Sequence, residues 1–222
     1  MMHARMPSRP TRTTTPGRAV ARMVARLREQ GIRDEKVLDA MLHVPRESFV
    51  DSALAFSAYD DTPLPIGHQQ TISQPFVVAR MIELLRSGRE LGRTLEVGAG
   101  CGYQAAVLAR LATEVYAVER IRPLLERAKD NLRPFRFANL RLKYADGGLG
   151  LPEAAPYDSI IVAAGAREIP LALREQLAPG GRMLVPVGGG DQRLVMIERD
   201  GDGFRESRFE AVRFVPLLSG TE

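Results

Sequence analysis

The sequence predicts an α/β fold, with a mostly parallel central sheet and helices on both faces. Three observations carry this. From residue 93 onward short apolar runs alternate with amphipathic helical segments, the pattern of strands joined by covering helices. The run at 94–97 ends in glycines where a strand turns into a helix. The last two runs, 194–198 and 204–214, are joined through Asp200-Gly201-Asp202-Gly203 and read as an antiparallel pair.

The elements follow in order. Val20, Met23, Val24 and Leu27 recur at helical spacing from Arg18, and Gly31 can end that helix. Asp34 is a good N-cap for a second helix through Val37, Leu38 and Met41, which Pro45 stops. Residues 45–72, with Pro63, Pro65 and Gly67, read as an irregular connection. Pro75 opens a third helix to about Arg86, since proline is favoured in a first turn. The expected strands are 94–97, 115–119, 140–144, 159–163 and 183–187. The intervening helices are 103–111, 121–132 with Pro123 in its first turn, and 170–177, closed by Pro179-Gly180-Gly181. The expected organisation is a disordered Arg/Pro/Thr-rich tail over 1–17 and one domain over 18–222. In that domain 18–90 is a helical cover with a substrate loop, and 91–222 is the α/β core with its C-terminal strands.

Composition narrows the function. The chain has 222 residues, 45% hydrophobic and 26% charged, an ordinary globular balance. No apolar run approaches the roughly 20 residues that span a bilayer, so no membrane association is expected. One cysteine, Cys101, excludes an internal disulfide and a cysteine-based zinc cluster, and fits a reducing, cytoplasmic compartment. Seven arginines precede the first acidic residue, Glu29; subtracting them from the net +4 leaves −3 for the rest. A mildly acidic body argues against a broad phosphate-binding face, so no nucleic-acid partner is expected. The tail is also acid-poor and Ser/Thr-rich like a transit peptide, but its prolines oppose the amphipathic helix such a peptide needs.

The strongest motif is Leu95-Glu96-Val97-Gly98-Ala99-Gly100-Cys101-Gly102-Tyr103. Glycines there let a ligand approach the backbone closely. The third glycine comes one residue early for a dinucleotide fingerprint, and no Lys-Ser or Lys-Thr pair makes a phosphate loop. Glu96 sits badly beside phosphates but suits a cationic ligand, such as the ammonium and sulfonium of S-adenosylmethionine. Glu119, ending the second core strand, can accept from two ribose hydroxyls. Asp146, ending the third and followed by Gly147-Gly148, can meet an adenine amino group. Taken singly, the glycines could form a plain turn, Glu119 could face a helix dipole, and Asp146 could serve a turn. Together they resemble the E-x-G-x-G-x-G pattern of Rossmann-like class I S-adenosylmethionine-dependent methyltransferases.

Residues 64–76 read Leu-Pro-Ile-Gly-His-Gln-Gln-Thr-Ile-Ser-Gln-Pro-Phe. Gln70 to Pro75 is similar to the signature of the protein-L-isoaspartate O-methyltransferases. The resemblance continues in Leu95 to Gln104, Pro156-Tyr157-Asp158, Leu177 to Gly181 and Val212-Arg213-Phe214-Val215-Pro216-Leu217, about residues 18–219 in all. His68 stands where the family often has glutamine, Gln69 where it usually has glycine, and Ala99 and Cys101 where it often has Thr and Ser.

That resemblance implies methyl transfer from S-adenosyl-L-methionine, leaving S-adenosyl-L-homocysteine, to the free α-carboxylate of L-isoaspartyl residues in damaged proteins. The ester closes to a succinimide, whose hydrolysis restores some L-aspartate. His3, His43 and His68 form no evident metal set, so no metal is expected, and the chain is expected to act as a monomer. The family's active-site serine maps onto Ser73, for which helix capping is the plain structural alternative. Thr71, Ile72, Val212 and Val215 are implied on the substrate side; Thr71, Glu96, Gly98, Gly100, Gly102, Glu119, Asp146 and Gly147 on the cofactor side. Two other readings stay open at this point. An RNA or small-molecule methyltransferase leaves Gln70–Pro75 unexplained and lacks an N/D-P-P-Y-type motif. A nucleotide-binding regulatory module predicts cofactor binding without turnover.

Overall fold

The computed structural model describes residues 17–222. The tail expected over 1–17 lies, apart from Gly17, outside the described residues.

Three helices cover the sheet first: α1 (Arg18–Glu29), α2 (Glu35–Leu42) and α3 (Pro75–Arg86). α1 buries Val20, Met23, Val24 and Leu27, the predicted stripe, and Gly31 follows its cap with φ +105°. Each such fully buried side chain contributes about 1.5–3 kcal/mol. Asp34 caps α2, accepting from the N–H groups of Lys36 and Val37 at 3.0 and 3.3 Å. Its second oxygen takes the buried Arg86 Nε at 2.7 Å, tying α2 to the end of α3.

The connection over 45–72 is more ordered than its composition suggests. It holds 3₁₀ turns at Arg46–Phe49 and Ser52–Ser57, then an antiparallel hairpin of β1 (Leu64–Gly67) and β2 (Gln70–Ile72). Leu64, Ile66 and Ile72 bury their side chains, but Pro65 and Gly67 conceal the alternation in the sequence. Arg46 is fully buried, its Nε donating to the Ala58 carbonyl at 2.8 Å and its guanidinium 4.9 Å from the Tyr103 ring centre. Phe49 meets the same ring edge-on at 5.5 Å. The cover is thereby keyed into the first residue of the helix after the glycine loop.

The core then alternates: β3 (Arg93–Val97), α4 (Tyr103–Ala109), β4 (Glu114–Glu119), α5 (Arg122–Leu132), β5 (Leu140–Tyr144), β6 (Tyr157–Val162), α6 (Leu171–Glu175), β7 (Leu177–Val187), β8 (Gln192–Asp200) and β9 (Gly203–Val212). The sheet order is β5-β4-β3-β6-β7-β8-β9, parallel through β7 and antiparallel for β8 and β9. The helix expected over 170–177 is shorter, because β7 already begins at Leu177. Pro179-Gly180-Gly181 does not end a helix; it bulges inside β7, where two steps along β6 match five along β7. Gly180, with φ +70°, accommodates that bulge. No helix among the described residues is long and apolar enough to cross a membrane.

Candidate active site

Strand order reverses beside β3, with β4 on one side and β6 on the other. Crevices outside the carboxyl ends of such strands are where open α/β sheets bind ligands. A cleft opens there. One wall is the end of β3 with Glu96, Gly98, Ala99 and Gly100; a second is Glu119 to Ile121; the facing wall is Thr71 to Ser73 with Val215 to Leu218.

The glycine loop is held from both neighbours. Gly98 and Ala99 donate to the Val118 carbonyl at 2.9 and 3.0 Å, and Ala163 donates to the Val97 carbonyl at 2.8 Å. Gly100, with φ +54°, turns its N–H onto Glu119 Oε2 at 2.8 Å. Glu119 Oε1 accepts from the Ile121 N–H at 2.9 Å. Each carboxylate oxygen has a further lone pair, so Glu119 can brace the loop and still accept from a diol.

Glu96 is fully buried and lines the cleft, with neither carboxylate oxygen hydrogen-bonded. Burial holds its carboxyl well above the usual carboxylate range; the Gln104 amide opposes this and the Glu119 charge adds to it. A buried carboxylate needs a cation or donors. The ammonium of S-adenosylmethionine would meet that need, so these residues fit the cofactor that the motif implies. Gly147 also lines the cleft, where a Cβ would come within 2.5 Å of Val97 Cγ1.

Ser73 lies in the cleft wall and is partly exposed. It is not the cap of α3. That position is Gln74, which makes no side-chain capping bond, and the Phe76 N–H is taken by Asp61 at 2.9 Å. The Ser73 hydroxyl makes no hydrogen bond among the described residues, so the capping alternative fails. Thr71 and Ile72 stand beside it, and Val215 faces them.

Three expected site residues fall outside the cleft lining. Gly102 caps α4 and turns toward α5, where a Cβ would meet Leu132 Cδ1 at 2.9 Å. Asp146 accepts from the N–H groups of Gly148 and Gly220 at 2.8 and 2.6 Å, so its carboxylate organises loops. Val212 closes β9 and lines an adjoining groove instead. The cleft also includes Ile66, Gln104, Ala163, Leu217 and Leu218. All but Gln104 are apolar, and apolar residues of this kind carry no local sequence signal for a site. Among the described residues no group of His, Cys, Asp and Glu could hold a metal ion.

Fold, switch-point cleft and the acid-flanked glycine loop define a class I S-adenosylmethionine-dependent methyltransferase. The family model for protein-L-isoaspartate(D-aspartate) O-methyltransferase matches residues 18–222, so the chain belongs to that family. A protein-L-isoaspartate O-methyltransferase of Aromatoleum aromaticum is 77% identical over 205 residues, covering 92% of this chain and 94% of that one. The protein of that name from Azoarcus sp. is 74% identical over 207 residues, covering 93% and 95%. A solved protein-L-isoaspartate O-methyltransferase matches with a TM-score of 0.80 at 30% identity, covering 89% of this chain and 65% of that one. A Plasmodium falciparum structure of the same description, in complex with S-adenosyl-L-homocysteine, matches with a TM-score of 0.78 at 26% identity, covering 89% and 97%.

Proposed function

We propose that this chain methylates the free α-carboxylate of L-isoaspartyl residues in damaged proteins and peptides, using S-adenosyl-L-methionine. The ester then collapses to a succinimide without further help, as the backbone amide nitrogen attacks the ester carbonyl and expels methanol, and hydrolysis returns part of it to L-aspartate. The observation that carries the reading is the unpartnered Ser73 hydroxyl in the cleft wall that faces Glu96 and the glycine loop.

The cofactor, when bound, supplies a methyl group that passes from sulfur to a carboxylate oxygen as the two opposite charges cancel. Glu96 would hold its ammonium, the loop from Gly98 to Gly100 its main body, and Glu119 its ribose. Ser73 donates a neutral hydrogen bond to the substrate carboxylate and orients it. A strong cation there would blunt the nucleophile. No base is needed, because an ordinary carboxylate with pKa near ~4 is ionised at neutral pH. The two described histidines agree: His43 bonds to the Asp39 carbonyl on the exposed face of α2, and His68 sits in the hairpin turn. Neither lines the cleft. Rate enhancement then comes from positioning and from excluding water.

The same reading takes 18–222 as one catalytic domain, with 18–90 as its cover, acting as a monomer in the cytoplasm without nucleic acid. The buried cluster that runs from Val20 and Leu38 through Tyr103 and Val107 to Leu184 supports the single domain.

The test pairs synthetic peptides carrying L-isoaspartate or L-aspartate at one position, with labelled S-adenosylmethionine. Base-labile label on the isoaspartyl peptide alone is expected, and a loss of roughly 100-fold or more in kcat for Ser73→Ala with cofactor binding intact. Cofactor binding with no label on either peptide would overturn the reading.

A further inference from the structure

A second depression adjoins the cleft. Its apolar lining includes Phe76, Val77, Leu194 and Val212, and Arg213 also lines it. It shares its boundary with the catalytic cleft residue by residue. Gln74 of the groove follows Ser73 of the cleft, Val77 precedes Val78, and Arg213 is two residues before Val215. An extended peptide advances about 3.3–3.6 Å per residue. A substrate with its isoaspartate at Ser73 therefore brings a flanking residue over this groove.

The dividing segment is fixed. Gln192 clamps Phe214 by both backbone groups, Oε1 accepting from its N–H at 2.7 Å and Nε2 donating to its carbonyl at 3.2 Å. Gly165 donates to the Val215 carbonyl at 2.8 Å. Arg213 thus projects from a held backbone rather than a loose loop.

The groove's charge is unbalanced. Arg80 binds Glu210 at 2.7 Å and Glu83 at 3.0 Å, so the one glutamate of the lining is already paired. Arg213 is exposed and makes no ion pair or side-chain hydrogen bond among the described residues. Much of the lining is apolar and the unspent charge is positive. A side chain with an aliphatic stem and an anionic end complements both features.

We infer that this groove takes the side chain of a residue flanking the isoaspartate, and that Arg213 makes it prefer glutamate over lysine. The inference rests on the isoaspartyl reading above and adds a specificity-determining residue to it.

The test uses isoaspartyl peptides with Glu, Gln or Lys on either side of the isoaspartate, assayed with the full chain and with Arg213→Gln and Arg213→Glu. For one flanking side, kcat/KM is expected to fall from Glu to Lys by about fivefold, the size of an exposed ion pair. The difference should lie in KM, with kcat unchanged, and should shrink in 0.5 M salt. Arg213→Gln should flatten the series and Arg213→Glu should reverse it. Equal kcat/KM across the series, or an order that survives Arg213→Glu, would overturn the groove assignment while leaving the isoaspartyl reading intact. Methylation of none of the peptides by the unaltered chain would overturn both.

Discussion

Glu119 accepts the backbone N–H of Gly100 at 2.8 Å, so the acid at the end of β4 and the loop after β3 form one unit. The contact joins the two walls of the cofactor side of the cleft before any ligand arrives. Replacing Glu119 by Ala removes this bond and the one to Ile121 together. Hydrogen bonds to a charged group contribute about 1.5–3 kcal/mol each. A weakening of S-adenosylmethionine binding by at least tenfold is expected by calorimetry, with Glu119→Gln intermediate because it keeps one acceptor. Unchanged affinity in Glu119→Ala would show that the loop holds its shape without the acid.

Glu96 sets a second, pH-dependent prediction. Its carboxyl is raised by burial, so it favours the folded state only while protonated. That contribution is full below the unfolded value of about 4.3 and is lost as pH rises through the folded one. Without cofactor, Glu96→Gln should therefore melt higher than the unaltered chain at pH 8, with the gap narrowing towards pH 5. Cofactor affinity should move the other way, falling about tenfold with the loss of one charge-assisted bond. Binding to the unaltered chain should also release protons, seen as a dependence of the calorimetric heat on the buffer's ionisation enthalpy. Equal heats in all buffers would place the ammonium elsewhere.

Cys101 lines the same cleft but is buried, and burial pushes its thiol up to about 11. Thiols react as thiolates. At pH 8 alkylation of the folded chain should run about two orders of magnitude slower than that of the urea-unfolded chain, whose cysteine has a pKa near ~8.5. Mass spectrometry after timed iodoacetamide treatment reads this directly. Fast labelling of the folded chain would mean that the glycine loop opens to solvent.

How far the sequence anticipated this structure depended on the range of each signal. The strand ends bearing Glu96 and Glu119 were legible because acids and glycines at a strand-to-helix turn are local features. The α2 cap was legible for the same reason: Asp34 binds residues two and three positions on. Arg46 was not, because its burial depends on Ala58 and on the Tyr103 ring, which only the folded chain brings near. Asp146 was legible as a strand-end acid, but its bond from the Gly220 N–H, 74 residues away, was not. Asp61 likewise caps α3 across 15 residues. The bulge in β7 looked like a helix stop because Pro-Gly-Gly serves either purpose, and only pairing with β6 decides between them.

The β1–β2 hairpin carries the last prediction. His68 and Gln69 form its two-residue turn with φ +51° and +58°, both left-handed and neither glycine. Such turns favour Asn-Gly, because a Cβ crowds the following carbonyl oxygen when φ is positive. A left-handed non-glycine residue costs roughly 1–2 kcal/mol, and glycine returns about 0.5–1 kcal/mol of that through its greater unfolded freedom. Gln69→Gly should therefore stabilise the chain by about 0.5–1 kcal/mol, raising Tm by about 1–4 °C for a domain of this size. The hairpin carries Thr71 and Ile72 into the cleft wall, and the turn residues themselves do not line it. Methyl transfer should thus stay within about twofold of the unaltered chain. A lower Tm for Gln69→Gly would mean that the Gln69 side chain makes contacts worth more than the strain of its backbone.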